Sequence, residues 1–369
     1  MGPRPGDLNE ALVASLETSG TLNDQRVAAA FRAVLRHHFL PDHPLKEVYE
    51  DSAIMTKFGE RGIAVSSSSQ PAIMAIMLEQ LRVEPGQRVL EIGTGTGYNA
   101  ALLAHLIGSH GHVVSLDFDE DLCSSARAHL AAAGAQEVEV HQADGANGWA
   151  QEAPYDRLIV TASSDDLAPA WLDQLVEGGR LVIPLSLAGP IQFSTAFVRV
   201  GSTLVSDSLS FCGFMPLRGE MARPPRTPGE GEAAPTWLAD PESGVSCGFE
   251  VPGSDARAGF EAWLAMTDAG YVRLSRNPED PAVFGLQDHV RGAALLEWKG
   301  SILELRIYAE GEELAARLVA AHRRWSRDRP PVQAFRVTAV ATSEAPPGEP
   351  EGVRVVRRPR FTFFVSPVW

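Results

Sequence analysis

Arg88-Val89-Leu90-Glu91-Ile92-Gly93-Thr94-Gly95-Thr96-Gly97-Tyr98 is the stretch that decides the fold. Apolar residues lead into three glycines alternating with threonines, and Asn99 to Ile107 (NAALLAHLI) continues as an amphipathic helix. A buried parallel strand, a tight glycine turn and a helix start form the first unit of a doubly wound α/β fold. Glycine has no Cβ and tolerates positive φ, so a ligand can approach the backbone of such a turn closely. The spacing is E-x-G-x-G-x-G. It differs from the G-x-G-x-x-G of dinucleotide sites and lacks the Gly-Lys-Ser/Thr ending of a phosphate-binding P-loop.

Downstream, His112 to Asp117 reads as a second buried strand ending in a carboxylate. Asp117 lies about 20 residues beyond the glycines, where a doubly wound fold places an acid to accept from ribose hydroxyls; a plain surface Asp at a strand end is the alternative. Asp119, Glu120 and Asp121 open a helix through Leu122 to Ala133, where acids suit the dipole, and Gly134 stops it. Further strands are expected at 138–140, 155–161 and 180–185, with a helix over 167–175 closed by Gly178-Gly179. A hairpin over 191–200 and 203–210 follows, turning at Gly201-Ser202. This alternation predicts a parallel sheet with a ligand at the carboxyl ends of its strands.

Upstream, residues 8–36 fit two helices broken at Ser19-Gly20-Thr21, the second capped by Asn23 or Asp24. His37-His38 reads as a solvated helix end rather than a metal site, because no carboxylate or thiol stands at ligand spacing. Ser66-Ser67-Ser68-Ser69-Gln70-Pro71 then precedes an apolar helix over 72–81, with Pro71 at its first position. Hydroxyls and N–H groups at the positive end of a helix favour an anion, a carboxylate substrate included. An ordinary serine N-cap is the competing reading.

Composition narrows the function classes. Lys and Arg total 32 against 47 Asp and Glu, a net charge of −15. That balance argues against holding nucleic acid by its backbone and against binding anionic membranes. No apolar run reaches the roughly 18 residues of a membrane span, and the N-terminus lacks a signal-peptide core, so a cytoplasmic location is expected. Cys123, Cys212 and Cys247 are odd in number and far apart, which suits a reducing compartment and implies no metal site. Residues 223–236 are rich in Pro, Gly and Glu and read as a linker between a domain at 1–222 and another at 237–369. The latter shows helices at 256–266 and 312–325 and strands at 301–309, 334–341 and 361–365, an α+β accessory domain. Its basic run Val353 to Arg360 is either a solvated edge strand or a site for an acidic partner.

Taken together, Arg36-x-x-Phe39-x-Pro41, Tyr49-x-Asp51, Ser69-Gln70-Pro71, the stretch Val89 to Ala104, Asp144-Gly145, Tyr155-Asp156, Gln174-Leu175-x-x-Gly178-Gly179 and Phe214-Met215-Pro216-Leu217 resemble the protein-L-isoaspartate O-methyltransferase family. The glycine motif is common to many methyltransferases; the serine-Gln-Pro and F-x-P-L blocks are narrower. The resemblance implies a class I methyltransferase, a Rossmann-like doubly wound sheet with N-terminal helices, using S-adenosylmethionine and releasing S-adenosylhomocysteine. It implies that Glu91, Gly93, Thr94, Gly95 and Gly97 surround the cofactor's amino-acid part. Asp117 would hold the ribose, and Asp144-Gly145 would border the adenine. Ser69 takes the position of the active-site hydroxyl, with Ser66, Ser67, Ser68 and Gln70 around the substrate. No general base is expected, since a carboxylate is already ionised at pH 7.

Two features depart from the family. Ser67 and Ser68 stand where Thr and a small apolar residue usually precede the active-site serine, and a second domain follows the linker. The architecture resembles the subgroup associated with ribosomally made peptides such as lanthipeptides, lasso peptides and graspetides. The expected activity is therefore methylation of an aspartate in such a peptide, leading to aspartimide or isoaspartate, with the accessory domain gripping the precursor. The alternative is isoaspartyl repair of damaged proteins. Either way the partner is a peptide or protein bearing Asp or isoaspartate, with no nucleic acid or membrane involved. A non-catalytic isoaspartate-binding module and a small-molecule methyltransferase are further alternatives.

Overall fold

The computed structural model describes residues 4–59, 62–222, 245–252, 254–274, 283–288, 290–299 and 302–368. The expected linker at 223–236 lies outside the described residues. Two units form, Met1–Leu185 with Phe193–Ala222, and Ser186–Gln192 with Arg223–Trp369.

The first unit opens with helices α1 (Pro5–Thr18), α2 (Gln25–Ala33) and the short α3 (Leu45–Val48). Asp24 caps α2 by accepting from the Arg26 and Val27 N–H groups. Strands β1 (Ile54–Phe58) and β2 (Ala64–Ser68) pair antiparallel as a separate ribbon. Helix α4 (Pro71–Leu81) then leads to β3 (Arg88–Ile92), α5 (Tyr98–Ile107), β4 (His112–Asp117), α6 (Glu120–Ala133), β5 (Glu139–Gln142) and β6 (Tyr155–Val160). After α7 (Pro169–Asp173) come β7 (Leu175–Ala188), β8 (Ile191–Val200) and β9 (Thr203–Cys212). In this unit the strand order is β9-β8-β7-β6-β3-β4-β5. Neighbours β7-β6-β3-β4-β5 run parallel. The order reverses beside β3, which is the switch point where doubly wound folds bind ligands. Val89 of β3 meets Ala100, Leu102 and Leu103 of α5 and their neighbours in a continuous apolar core, and Leu90 and Ile92 are buried as well.

The structure departs from the sequence pattern at two places. The helix over 167–175 is shorter, and Gly178-Gly179 does not close it; both glycines lie inside β7, where the register with β6 shifts between Tyr155 and Arg157. A glycine pair after apolar residues resembles a helix stop, but here it marks an irregular strand entry. Residues 54–58, for which no element is expected from sequence, form β1, because β2 supplies their backbone partners.

In the second unit, β10 (Val245–Pro252), β11 (Tyr271–Leu274), β12 (Val283–Asp288), β13 (Gly292–Lys299) and β14 (Ile302–Ala309) form an antiparallel sheet of order β10-β14-β13-β12-β11. Helices α8 (Ser254–Thr267) and α9 (Glu312–Asp328) accompany it, and Phe260, Phe284, His322 and Trp325 cluster between them. Strands β15 (Phe335–Ala341), β16 (Arg354–Arg357) and β17 (Phe361–Pro367) pair antiparallel around β17, with β16 carrying part of the basic run. No helix among the described residues is long and apolar enough to cross a membrane.

Candidate active site

A cavity of about 300 Å³ opens at the carboxyl ends of β3, β4 and β6, all of its lining residues belonging to the first unit. That size is typical of small-molecule sites. Its floor is the glycine turn. Gly93 has φ +100°, and a Cβ there would sit 2.4 Å from Thr161 Oγ1. Only glycine fits. The Thr161 hydroxyl donates to the Gly93 carbonyl at 2.7 Å, so the end of β6 grips the turn. Gly95, at φ +54°, faces β2: a Cβ on it would lie 3.6 Å from the Ser67 carbonyl. The serine strand and the glycine turn are thus opposing walls of one space.

The serines reach that place as a strand and not as a helix cap. Ser66 pairs with Lys57, Ser67 with Met55 and Ser68 with Ile54. Strand alternation buries Ser66 and Ser68 and leaves Ser67 half-buried. The Ser66 hydroxyl accepts from Thr56 Oγ1 at 3.2 Å, and the Ser68 hydroxyl accepts from Arg36 Nη2 at 3.3 Å. The cap of α4 is instead Asp51, whose Oδ1 accepts from the Ala72 N–H at 2.8 Å while Oδ2 accepts from Gln70 Nε2 at 2.9 Å. A carboxylate of the chain itself therefore satisfies the helix end expected to bind a substrate anion.

Arg36 organises this wall. Fully buried, it donates to the carbonyls of Val48, Glu50, Ser52, Ser68 and Ser69. Burial pushes its guanidinium below its usual pKa.

Asp117 is 7% exposed and lines the cavity at the end of β4. Its Oδ2 accepts from the Gly95 N–H at 3.0 Å; Oδ1 accepts from the Asp119 N–H at 3.1 Å and from Arg218 Nη2 at 3.2 Å. Asp119, in turn, is bound by Lys57 Nζ at 2.7 Å, a contact that holds its carboxyl below the ordinary value and raises the lysine. The F-x-P-L block forms the remaining wall. Ser163, just after β6, donates its N–H to the Met215 carbonyl at 2.8 Å and accepts the Leu217 N–H at 2.8 Å.

Of the residues singled out from sequence, Ser66, Ser67, Ser68, Ser69, Gln70, Gly93, Thr94, Gly95, Asp117 and Gly145 line the cavity. Glu91, Gly97 and Asp144 stand behind it. Glu91 is wholly buried, accepting from Asn99 Nδ2 at 2.7 Å and Ser115 Oγ at 2.5 Å. It ties α5 and β4 beneath the turn rather than facing a ligand, and burial pushes its carboxyl up to about 7. Gly97 is the N-cap of α5, in the left-handed conformation. Asp144 accepts the Ala146 N–H at 3.0 Å and the Glu220 N–H at 2.7 Å, so its carboxylate anchors the segment after Leu217.

Sequence reasoning passed over several contributors. Asn99, Thr161 and Arg218 line the cavity, and Trp171 fixes Gly145 by donating from Nε1 to its carbonyl at 2.8 Å. Arg36 and Arg218 each adjoin or belong to a block the sequence marked, and that adjacency was the available signal. Among the described residues no group of three or more His, Cys, Asp or Glu could hold a metal.

A doubly wound sheet, an E-x-G-x-G-x-G turn at its switch point and an acid at the next strand end define a class I S-adenosylmethionine-dependent methyltransferase. The cavity's donors, close-approach glycines and Asp117 fit that cofactor. More narrowly, the chain belongs to the protein-L-isoaspartate(D-aspartate) O-methyltransferase family, whose model matches residues 7–222. It is thus a carboxyl methyltransferase. It is 39% identical over 184 residues to "Protein-L-isoaspartate O-methyltransferase" of Opitutus terrae, covering 50% of this chain and 75% of that one. To the protein of the same name in Methanoculleus marisnigri it is 40% identical over 201 residues, covering 54% and 86%. A solved protein-L-isoaspartate O-methyltransferase structure shares the fold, with a TM-score of 0.54, 24% identity, and coverage of 89% of this chain and 96% of that one. A Plasmodium falciparum structure described as such a methyltransferase in complex with S-adenosyl-L-homocysteine has a TM-score of 0.51, 20% identity, and coverage of 57% and 98%.

Proposed function

We propose that this enzyme methylates the free carboxylate of isoaspartyl residues in damaged proteins. The observation that carries the proposal is the family match across residues 7–222, together with relatives bearing that name. The second unit, which favoured a peptide-modifying role, discriminates less than the sequence suggested. A fold-level match to a solved protein-L-isoaspartate O-methyltransferase covers 89% of this chain. The extra serines also weigh less, because the Ser68 hydroxyl is already bound to Arg36.

When bound, S-adenosylmethionine supplies a methyl group on a cationic sulfur. The chain's residues then have to hold, orient and exclude. In this reading Gly93, Thr94 and Gly95 cradle the amino-acid part with Glu91 and Gly97 supporting from behind. Asp117 accepts from the ribose, and Gly145, fixed by Trp171 and flanked by Asp144, borders the adenine. Ser69 and Gln70 orient the acceptor carboxylate, framed by Ser66, Ser67 and Ser68. No proton has to move, so positioning in a dry cavity supplies most of the rate. Residues 1–222 carry the chemistry, and 237–369 act as an accessory unit.

Transfer of labelled methyl from the cofactor to an isoaspartyl peptide, against the same peptide with ordinary Asp, tests the reading. Turnover of unrelated isoaspartyl peptides supports repair. Selective turnover of ordinary Asp in one precursor peptide supports the peptide-modifying reading instead.

A further inference from the structure

Among the described residues lining the cavity, Arg218 is the single cation and Asp117 the single anion. They are ion-paired at 3.2 Å. We propose that Arg218 competes with the cofactor's ribose for Asp117 and so sets how tightly cofactor and product are held. The proposal rests on the reading of Asp117 as the ribose acceptor.

A carboxylate has about four acceptor positions on its two oxygens. Three are filled here: Gly95 N–H on Oδ2, and Asp119 N–H and Arg218 Nη2 on Oδ1. A ribose diol brings two donors to the single position left. The two backbone amides cannot leave without opening the glycine turn and the start of α6, so Arg218 is the donor that yields. It has somewhere to go. Its Nη1 already lies 3.5 Å from Asp119 Oδ2, its guanidinium sits 5.8 Å from the Phe118 ring centre, and its side chain is 34% exposed.

A rival role, clamping the acceptor carboxylate, fits the chemistry poorly. Methyl transfer cancels the negative charge of the carboxylate, so a cation bound to it would stabilise the ground state more than the transition state. Pairing Arg218 with Asp117 or Asp119 keeps it off the reacting oxygen. Exchange at Asp117 weakens the cofactor and its product alike, because both carry the same ribose, and it speeds release of the product.

The test is calorimetric titration of S-adenosylhomocysteine into wild type, Arg218→Ala, Asp117→Asn and the double variant. Arg218→Ala should bind about threefold to fivefold tighter than wild type, the range of a partly exposed ion pair. In the Asp117→Asn background the Arg218 substitution should change nothing. Weaker or unchanged binding by Arg218→Ala overturns the exchange, and an equal gain in the Asp117→Asn background overturns its site. If Asp117→Asn itself leaves binding untouched, the ribose reading falls and the exchange with it. Arg218→Gln keeps the aliphatic stem and gives the same readout should the alanine variant unfold.

Discussion

The Arg36 guanidinium donates to the Ser69 carbonyl at 3.0 Å from a fully buried position. The serine assigned to the acceptor carboxylate is therefore placed by a cation that does not line the cavity. The same side chain gathers the Val48–Ser52 turn, and that turn delivers Asp51 to the start of α4. One residue sets the substrate wall.

Arg36→Met should cost about 3 kcal/mol of stability, since five carbonyls lose a charged donor at once, those of Val48 and Ser68 in buried contacts and those of Glu50, Ser52 and Ser69 in partly buried ones. Arg36→Lys keeps a charge but cannot fork. It should lower kcat for the peptide while leaving cofactor affinity near that of wild type. Thermal unfolding with separate cofactor and peptide titrations checks both; equal loss of cofactor and peptide binding in the lysine variant would contradict the positioning role.

Ser69→Ala and Asp117→Ala should separate cleanly. The first slows methyl transfer with little loss of cofactor affinity. The second weakens cofactor binding by roughly 1.5–3 kcal/mol, the worth of a charge-assisted hydrogen bond. Single-turnover rates and calorimetry decide, and a reversed pattern means the two walls have been assigned the wrong way round.

Much of this site is legible in the amino-acid sequence. The strand–turn–helix at 88–107 and the acid at 117 follow from a 3.6-residue period, a glycine spacing and a strand end, all of them local signals. What escaped is non-local. Nothing in Ser66-Ser67-Ser68-Ser69 announces a strand, because the partner that makes it one, Ile54–Phe58, lies across a turn and is itself unremarkable in pattern. Asp51 as cap of α4 and Arg36 as carbonyl clamp depend on the same fold-back. Glu91 shows the converse case, in which motif spacing marked the right residue and only the geometry revealed that it faces Asn99 and Ser115.

Gly93→Ala should destabilise by about 2 kcal/mol or more, from a positive φ combined with a clash. The new Cβ would fall 2.4 Å from Thr161 Oγ1. Removing that oxygen with Thr161→Ala should recover part of the loss and leave the backbone strain. Denaturant melts of the two singles and the double read this coupling directly; strict additivity would mean the contact does not matter.

Glu91 links stability to pH. Its carboxyl is raised from 4.5 to about 7 in the folded chain, chiefly by burial. Below the unfolded value it is protonated in both states and contributes no difference. Between about 4.5 and 7 the unfolded chain ionises first, so the folded state loses stability as pH rises, and above about 7 the penalty is constant. The full difference is on the order of 3 kcal/mol. Glu91→Gln cannot ionise, and its amide can still accept from Asn99 while the Ser115 hydroxyl turns to accept. Wild type minus Glu91→Gln stability, measured by denaturant unfolding at pH 5, 6, 7 and 8, should therefore fall through pH 7 and then level. A difference that stays flat across that range would mean Glu91 is ionised beneath the turn, stabilised by its two donors despite burial.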